Sequence, residues 1–474
     1  MKIKYFKSDH GCLIFNPYSL EIMILNKNMS LVLSQILPEN YTEKEKILFE
    51  KKLNEVRNDN FRKTLKSILN TQLNIYNEES KTITISFAPL HKCNLKCKYC
   101  FASGGNNYKG TKKEMSSELI NGILNFIFNY YCPNCVFLQI SLVSGGEPFL
   151  NLEVLNDINE RINSYNEKID RKIFIATNGT IYNESIRNML LKISPQLGIS
   201  IDGPAEFHNS NRLYANGDNT YHDVTKTILD IKKDQNILPI TKNFIFMTVL
   251  NDQNMDLVKI IKHHKKLGAT SIQIKAARST RYGFDGINEK NIHKYKEAYN
   301  HLNDFFLEEF KNKKYDSLML ILNGIDTYGK LVKRLMLRQP SKYRCGAGKD
   351  RLSFTADGDI YPCDNFVGEE IFKLGNVYEE SYNLFNINFN EFSVNNLIPC
   401  KDCWARHLCT GDCLYNAYVK TGDLSNQDPI MCEFYLFLCE LAIRFIMDLR
   451  LIDYELYQKF ERLIQIRNKN NFIN

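Results

Sequence analysis

From about residue 82 to about residue 300 the chain alternates short apolar runs with amphipathic stretches, and this alternation restricts the fold more than any other feature. Ile83–Phe87, Phe137–Val143, Lys172–Ala176, Gln196–Ile201, Lys242–Val249 and Ser271–Lys275 read as strands, with helices such as Ser116–Tyr130 and Leu152–Asn166 between them. Six strands separated by helices predict a parallel sheet, either open or a partial barrel, because parallel neighbours need long crossovers. In such folds ligands gather at the C-terminal ends of the strands. The chemically distinctive residues of this chain fall at those ends.

After the first strand comes His91-Lys-Cys-Asn-Leu-Lys-Cys-Lys-Tyr-Cys100, which sets Cys93, Cys97 and Cys100 in a Cys-x3-Cys-x2-Cys spacing. Three thiolates on one short loop can hold three irons of a four-iron cluster and leave the fourth iron open. The competing reading is a zinc knuckle, but structural zinc takes four ligands, and beyond His91 no nearby fourth is evident. The N-terminus, Met-Lys-Ile-Lys-Tyr-Phe-Lys, has no apolar signal core and no run is long enough for a membrane span, so a cytoplasmic protein is expected. In that compartment 14 cysteines point to metal or cluster ligation rather than disulfides. Eight of them lie between Cys345 and Cys439. The net charge of +7 is interspersed, which argues against a nucleic-acid partner.

The later strands end in polar turns. Ser144-Gly145-Gly146-Glu147-Pro148 combines glycines that admit close backbone approach with a carboxylate able to accept from an ammonium group. Thr177-Asn178-Gly179 follows the third strand and Ser200-Ile201-Asp202-Gly203-Pro204 the fourth, although Asp202-Gly203-Pro204 alone reads equally as a turn. His208 to Arg212, then Gly217 and Thr220, come next, and Arg212 suits bidentate carboxylate binding. Towards the C-terminus the spacing is Cys345, Gly358-x4-Cys363, Cys400-x2-Cys403-x5-Cys409-x3-Cys413, then Cys432; a zinc ribbon is the alternative for Cys400-x2-Cys403. Cys12, Cys132, Cys135 and Cys439 fit neither set and read as structural.

The Cys93-x3-Cys97-x2-Cys100 loop, with Gly-Gly-Glu one strand later, resembles the radical S-adenosylmethionine (SAM) superfamily. The resemblance implies that a [4Fe-4S] cluster chelates SAM at its open iron and that an electron cleaves SAM to a 5′-deoxyadenosyl radical. It implies that Tyr99 packs on adenine, that Gly145, Gly146 and Glu147 bind the methionine amino group, and that Asn178, Ser200 and Asp202 face the ribose and methionyl region. Arg212 would take the carboxylate, and Asn209 stands where many members have Asp. The seven C-terminal thiols resemble the SPASM extension, which carries two auxiliary iron-sulfur clusters, [4Fe-4S] in type. By that pattern Cys400, Cys403, Cys409 and Cys432 hold one cluster, and Cys345, Cys363 and Cys413 the other without an assigned fourth ligand. Asp364 matches the place of a catalytic base in sulfatase-maturing members.

The fold class expected is α/β: a partial (β/α)6 TIM-like barrel over 81–300, a winged-helix-like peptide-recognition domain over 1–80, a helical bridge over 301–344, a SPASM domain over 345–440 and a helical end over 441–474. In the first module, Cys12–Phe15 and Glu21–Leu25 read as strands joined by a turn, followed by a helical stretch from Thr42 to Leu73. Such a module could capture a peptide by strand addition, or be a structural cap or a DNA binder. Cys100-Phe-Ala-Ser-Gly-Gly with Tyr108, Gly110 and Met115 is similar to maturases of cysteine-rich ribosomal peptides. The activity so implied is thioether crosslinking (sactipeptide or ranthipeptide type) of a cysteine-containing precursor peptide, with flavodoxin or ferredoxin as reductant. The alternatives are formylglycine formation in a sulfatase, carbon-carbon crosslinking or epimerisation, and, outside enzymes, a metal-dependent DNA-binding or scaffold protein.

Overall fold

The computed structural model describes residues 4–8, 11–25, 82–105, 114–143, 145–165, 169–237, 244–279, 283–324, 326–379 and 387–473. The expected helix from Thr42 to Leu73, Tyr108, Gly110 and Ser144 lie outside these residues. An antiparallel sheet comes first, of β1 (Lys4–Ser8), β2 (Gly11–Phe15) and β3 (Ile22–Leu25), in that order. Its turn is fixed by Asn16, whose side-chain oxygen accepts from the Tyr18 amide at 2.9 Å.

Among the described residues the main sheet has nine strands. Its centre is β4 (Thr82–Phe87), β5 (Phe137–Leu142), β6 (Asp170–Thr177), β7 (Gln196–Ser200), β8 (Ile245–Leu250) and β9 (Ser271–Ala276), each parallel to the next in chain order. Crossovers of one hand between strands in unbroken order put every helix on the same face, and the sheet curls into a partial barrel. The strands read as apolar runs because both faces are covered: Ile85, Ile140, Ile175, Leu197, Ile199, Phe246 and Ile272 are fully buried or nearly so.

Helices α1 (Ser117–Phe126), α2 (Leu152–Tyr165), α3 (Glu184–Ile193), α4 (Ala205–Asn209), α5 (Tyr221–Lys233) and α6 (Leu257–Leu267) connect these strands. Three begin where a side chain satisfies an otherwise orphaned amide: Ser116 accepts from Leu119, Asn183 from Ile186 and Asp256 from Lys259. α6 stops at Gly268, whose φ of 86° is the left-handed cap that glycine adopts without strain.

Beyond the barrel lie α7 (Ile292–Lys311), α8 (Asp316–Asn323) and α9 (Thr327–Leu337), then β10 (Arg351–Phe354), β11 (Asp359–Tyr361) and β12 (Gly375–Asn376). β10 pairs parallel with β4, and β11 and β12 follow antiparallel, so the C-terminal module extends the barrel sheet at its first strand. α10 (Arg406–Cys409), α11 (Leu414–Thr421), α12 (Pro429–Ile452) and α13 (Tyr454–Ile473) complete the chain. The aromatic rings of Tyr295 and Tyr299 on α7 meet Phe434 on α12, and Tyr328 on α9 meets Phe445, which fixes the long helix across the bridge. Among the described residues no helix is long and apolar enough to cross a membrane.

Candidate cluster and cofactor site

The first thiol loop leaves the C-terminal end of β4 and is clamped by the loops after β5, β6 and β7. The Glu147 amide donates to Lys92 O at 2.9 Å, Lys96 N to Leu213 O at 2.9 Å, Lys98 N to Asn211 O at 3.1 Å and Ala215 N to Asn94 O at 3.1 Å. The approach of the 90–92 backbone explains the glycine pair: a Cβ on Gly146 would stand 1.9 Å from Lys92 O, and one on Gly145, at φ +89°, 2.7 Å from Leu90 O.

Cys93 and Cys100 receive hydrogen bonds, from Leu95 N at 3.4 Å and Asn178 Nδ2 at 3.8 Å to the first, and from Gly104 N at 3.5 Å to the second. Such donors stabilise thiolate sulfur. Burial pushes the Cys93 thiol up to about 11 and Cys97 to about 12, and the neighbouring thiols add to the rise. A crowded thiol set of this kind is held ionised by a bound cationic metal group. Among the described residues no three His, Cys, Asp or Glu side chains gather tightly enough for a single metal ion, whereas a four-iron cluster is held by thiols standing apart at its corners.

Around this loop the sequence-expected cofactor residues are brought together, with their polar atoms engaged in one network. Glu147, buried, accepts from Thr177 Oγ1 at 2.6 Å, Asn178 N at 2.7 Å and Phe149 N at 3.2 Å. Burial pushes its carboxyl up to about 7 despite those donors. Asn178 also donates to Asn94 Oδ1 at 2.8 Å. Asp202, fully buried, accepts from Arg212 Nε at 3.1 Å and Nη2 at 3.2 Å, from Val249 N at 3.0 Å and from the Tyr99 hydroxyl. Burial pulls the Arg212 guanidinium down, and the Asp202 carboxylate, with Tyr99 and Cys97, together more than reverse this, leaving it above its ordinary value. The Arg212 fork, expected on a ligand carboxylate, grips Asp202 here. Ser200 ends β7 beside this network.

Thr177, Asn94 and the His208–Thr220 pair (2.9 Å) brace the site without standing among the ligand residues expected from sequence. The polar character of the strand ends was the available signal.

The seven C-terminal thiols fall into two electrostatically coupled groups, Cys345 with Cys363 and Cys413, and Cys400 with Cys403, Cys409 and Cys432. Asn365 Nδ2 donates to Cys413 Sγ at 3.7 Å, and Ala405 N to Cys403 Sγ at 3.4 Å. Cys439, set aside on sequence grounds, lies two turns after Cys432 on α12 and hydrogen-bonds Cys409, lowering that thiol's pKa. Asp364 follows Cys363 and accepts from Ser353 Oγ at 3.0 Å.

Residues 88–263 match the radical SAM superfamily, and residues 345–404 match SPASM, an iron-sulfur cluster-binding domain. The cysteine-type anaerobic sulfatase-maturating enzyme of Clostridium novyi (strain NT) is 30% identical over 359 residues, 72% of this chain and 90% of that one. The antilisterial bacteriocin subtilosin biosynthesis protein AlbA of Bacillus subtilis (strain 168) is 24% identical over 314 residues, covering 65% of this chain and 61% of that one. In fold, the solved structure of native anSMEcpe with bound AdoMet superposes with a TM-score of 0.61 at 23% identity, covering 78% of this chain and 100% of that one. Three clamped thiols at the mouth of a partial barrel, seven more beyond it and these likenesses agree: the chain is an enzyme of the radical SAM superfamily with a SPASM cluster-binding extension.

Proposed function

We propose that this enzyme modifies a ribosomally made, cysteine-containing precursor peptide in the cytoplasm, forming thioether crosslinks between cysteine sulfur and peptide carbon. Cys93, Cys97 and Cys100 would hold the first cluster; Cys400, Cys403, Cys409 and Cys432 a complete auxiliary one; and Cys345, Cys363 and Cys413 another. The first cluster, reduced by a flavodoxin or ferredoxin, and SAM supply the hydrogen-abstracting radical when bound. This chain's own residues position and exclude: Tyr99, Asn178, Asp202 and Arg212 form a stiff, dry wall, and Gly145 and Gly146 let the cluster loop sit against it.

The observation that carries the reading is the N-terminal sheet, whose order leaves β1 as an edge among the described residues, docked on the loop that follows Cys403. An added peptide strand there would be held against the SPASM part of the chain. The likeness to AlbA supports it.

A second reading, formylglycine formation, is favoured by the Clostridium novyi relative and by Asp364 beside Cys363. One experiment separates them. The anaerobically reconstituted enzyme is incubated with SAM, reductant and a cysteine-rich precursor peptide, and the product is weighed. Loss of two hydrogens per crosslink with sulfur retained is the expected result. Loss of the cysteine sulfur identifies the second reading, and SAM cleavage with no change in any such peptide overturns the first.

A further inference from the structure

One close pair of cysteines belongs to neither thiol set. Cys132-Pro-Asn-Cys135 links a π-helical turn, Ile127–Tyr131, to β5. Because β4 and β5 run parallel, this segment lies at the opposite end of the strands from the loops that gather Cys93, Cys97 and Cys100. Its backbone forms a closed turn: Cys135 N donates to Cys132 O at 3.0 Å, and Pro133 presets the dihedral of the second position. Such a turn keeps its first and fourth Cα atoms within about 7 Å, the span that a disulfide bridges.

The two thiols already meet. Cys135 S–H has Cys132 Sγ as one hydrogen-bond acceptor and Phe137 O, at 3.3 Å, as another. The start of the turn is anchored, since Cys132 N donates to Ile127 O at 2.7 Å. Its neighbour Tyr131 stacks on Phe126 with ring centroids 5.9 Å apart and donates its hydroxyl to Lys349 O at 2.6 Å. Little backbone movement separates this dithiol from a disulfide. Metal ligation is the other use of a Cys-x2-Cys pair, but among the described residues no third His, Cys, Asp or Glu joins it.

Access distinguishes the two residues. Cys135 is 8% exposed, whereas Cys132 is partly exposed, beside exposed Pro133 and Asn134. Tyr130 and Val136, 65% and 54% exposed, flank the turn with apolar surface. An accessible thiol backed by a buried one is the arrangement that dithiol exchange needs, because the first meets an incoming sulfur and the second resolves the product.

We propose that Cys132 and Cys135 are a redox-active pair whose substrate is a disulfide, carried by a small thiol compound or by a peptide. The Cys132 thiolate attacks one sulfur of that disulfide, forming a mixed disulfide and releasing the first thiolate. Cys135 gives its proton to solvent and attacks Cys132 Sγ, which breaks the mixed bond and releases the second. The protein pair loses two electrons and two protons, and the substrate, gaining both, leaves as two thiols. Burial holds both protein thiols above their ordinary range, so exchange quickens as pH rises.

The test uses the absence of Lys and Arg between Lys113 and Arg161, a stretch whose only cysteines are these two, so that one tryptic peptide reports both. The anaerobically reconstituted full chain is incubated at about pH 8.5, the ordinary thiol pKa, with glutathione disulfide or with a synthetic peptide closed by one disulfide. It is then quenched in acid, alkylated in denaturant, digested and weighed. The tryptic peptide is expected to lose two hydrogens and take no label. The closed form should exceed the mixed disulfide by about tenfold or more, because a thiol held in the same turn acts at high effective concentration. In Cys135→Ser the mixed disulfide accumulates on Cys132, and in Cys132→Ser no adduct forms on Cys135. Iron content and SAM cleavage equal to wild type guard both variants against a fold defect, and the wild-type result stands without them. Closure with either reagent supports the inference, and the faster reagent names the source of the disulfide. Full labelling of both thiols in the wild-type chain, a wild-type chain that stops at the mixed disulfide, or equal adducts in the two variants overturns it.

Discussion

At the scale of single residues, the glycines show how one substitution takes opposite signs in two settings. Gly146 faces the backbone of the thiol loop, and an added Cβ would lie 1.9 Å from Lys92 O, a contact no rotamer change relieves. Gly146→Ala is therefore expected to displace the Cys93–Cys100 loop. Its signature is loss of one of three clusters' worth of iron and a fall of about a hundredfold in 5′-deoxyadenosine formation, the scale of a 1 Å misplacement. Gly122, inside α1, has open space, its nearest neighbour 3.8 Å away on Val377. Gly122→Ala should raise stability by about 0.5–1 kcal/mol through helix propensity alone. Iron analysis and urea unfolding on both variants check the pair. Unchanged iron in Gly146→Ala would mean that the loop is held by something other than this approach.

At the scale of elements, the α4–α5 connection is pinned by a neutral histidine. His208 Nδ1 accepts from Asp202 N at 3.3 Å, and Nε2 faces Thr220 Oγ1 at 2.9 Å, which in turn donates to Arg212 O at 2.7 Å. A proton on Nδ1 would oppose the Asp202 amide. Burial lowers this imidazole from 6.5 to about 4, with Arg212 and His263 pushing the same way and Asp202 against. Between those values the unfolded chain binds more protons, so this contribution is complete above about 6.5 and lost as pH falls towards 4. His208→Asn, which keeps an acceptor near Nδ1, should flatten the dependence of unfolding free energy on pH between 6.5 and 4.5 by about 1.4 kcal/mol per pH unit. Urea unfolding across that range measures it, and parallel curves for the two proteins would exclude the role. The strands flanking this element were legible in sequence because each is a continuous apolar run bounded by polar turns. β1 and β10–β12 were not, since they are two to five residues long and owe their pairing to distant partners.

At the scale of the whole molecule, the parts invisible in sequence are those joined by the curl of the sheet. The thiols could be sorted by spacing, but β10 comes to lie beside β4 through a long-range pairing that no local pattern announces. The seat of the N-terminal sheet is a contact of the same kind. Phe6 and Phe15 place their rings 5.5 and 6.0 Å from Trp404, edge-on, Lys4 lies 5.6 Å above that ring, Arg406 reaches the Tyr18 hydroxyl at 3.0 Å and Arg450 reaches Ile22 O at 2.9 Å. Trp404 directly follows Cys403, so the N-terminal sheet and the Cys400–Cys403 loop share one aromatic joint. Because Trp404 is the single tryptophan of the chain, its emission reports this joint without interference. Phe15, fully buried, should cost about 3–5 kcal/mol when cut to Ala. In that variant the emission should move to longer wavelength and acrylamide quenching should rise, while SAM cleavage, whose residues share none of these contacts, persists and peptide modification falls. Emission and quenching identical to wild type would show that the sheet is not docked on Trp404. A parallel loss of SAM cleavage would show that the joint supports the whole barrel rather than delivery of the peptide.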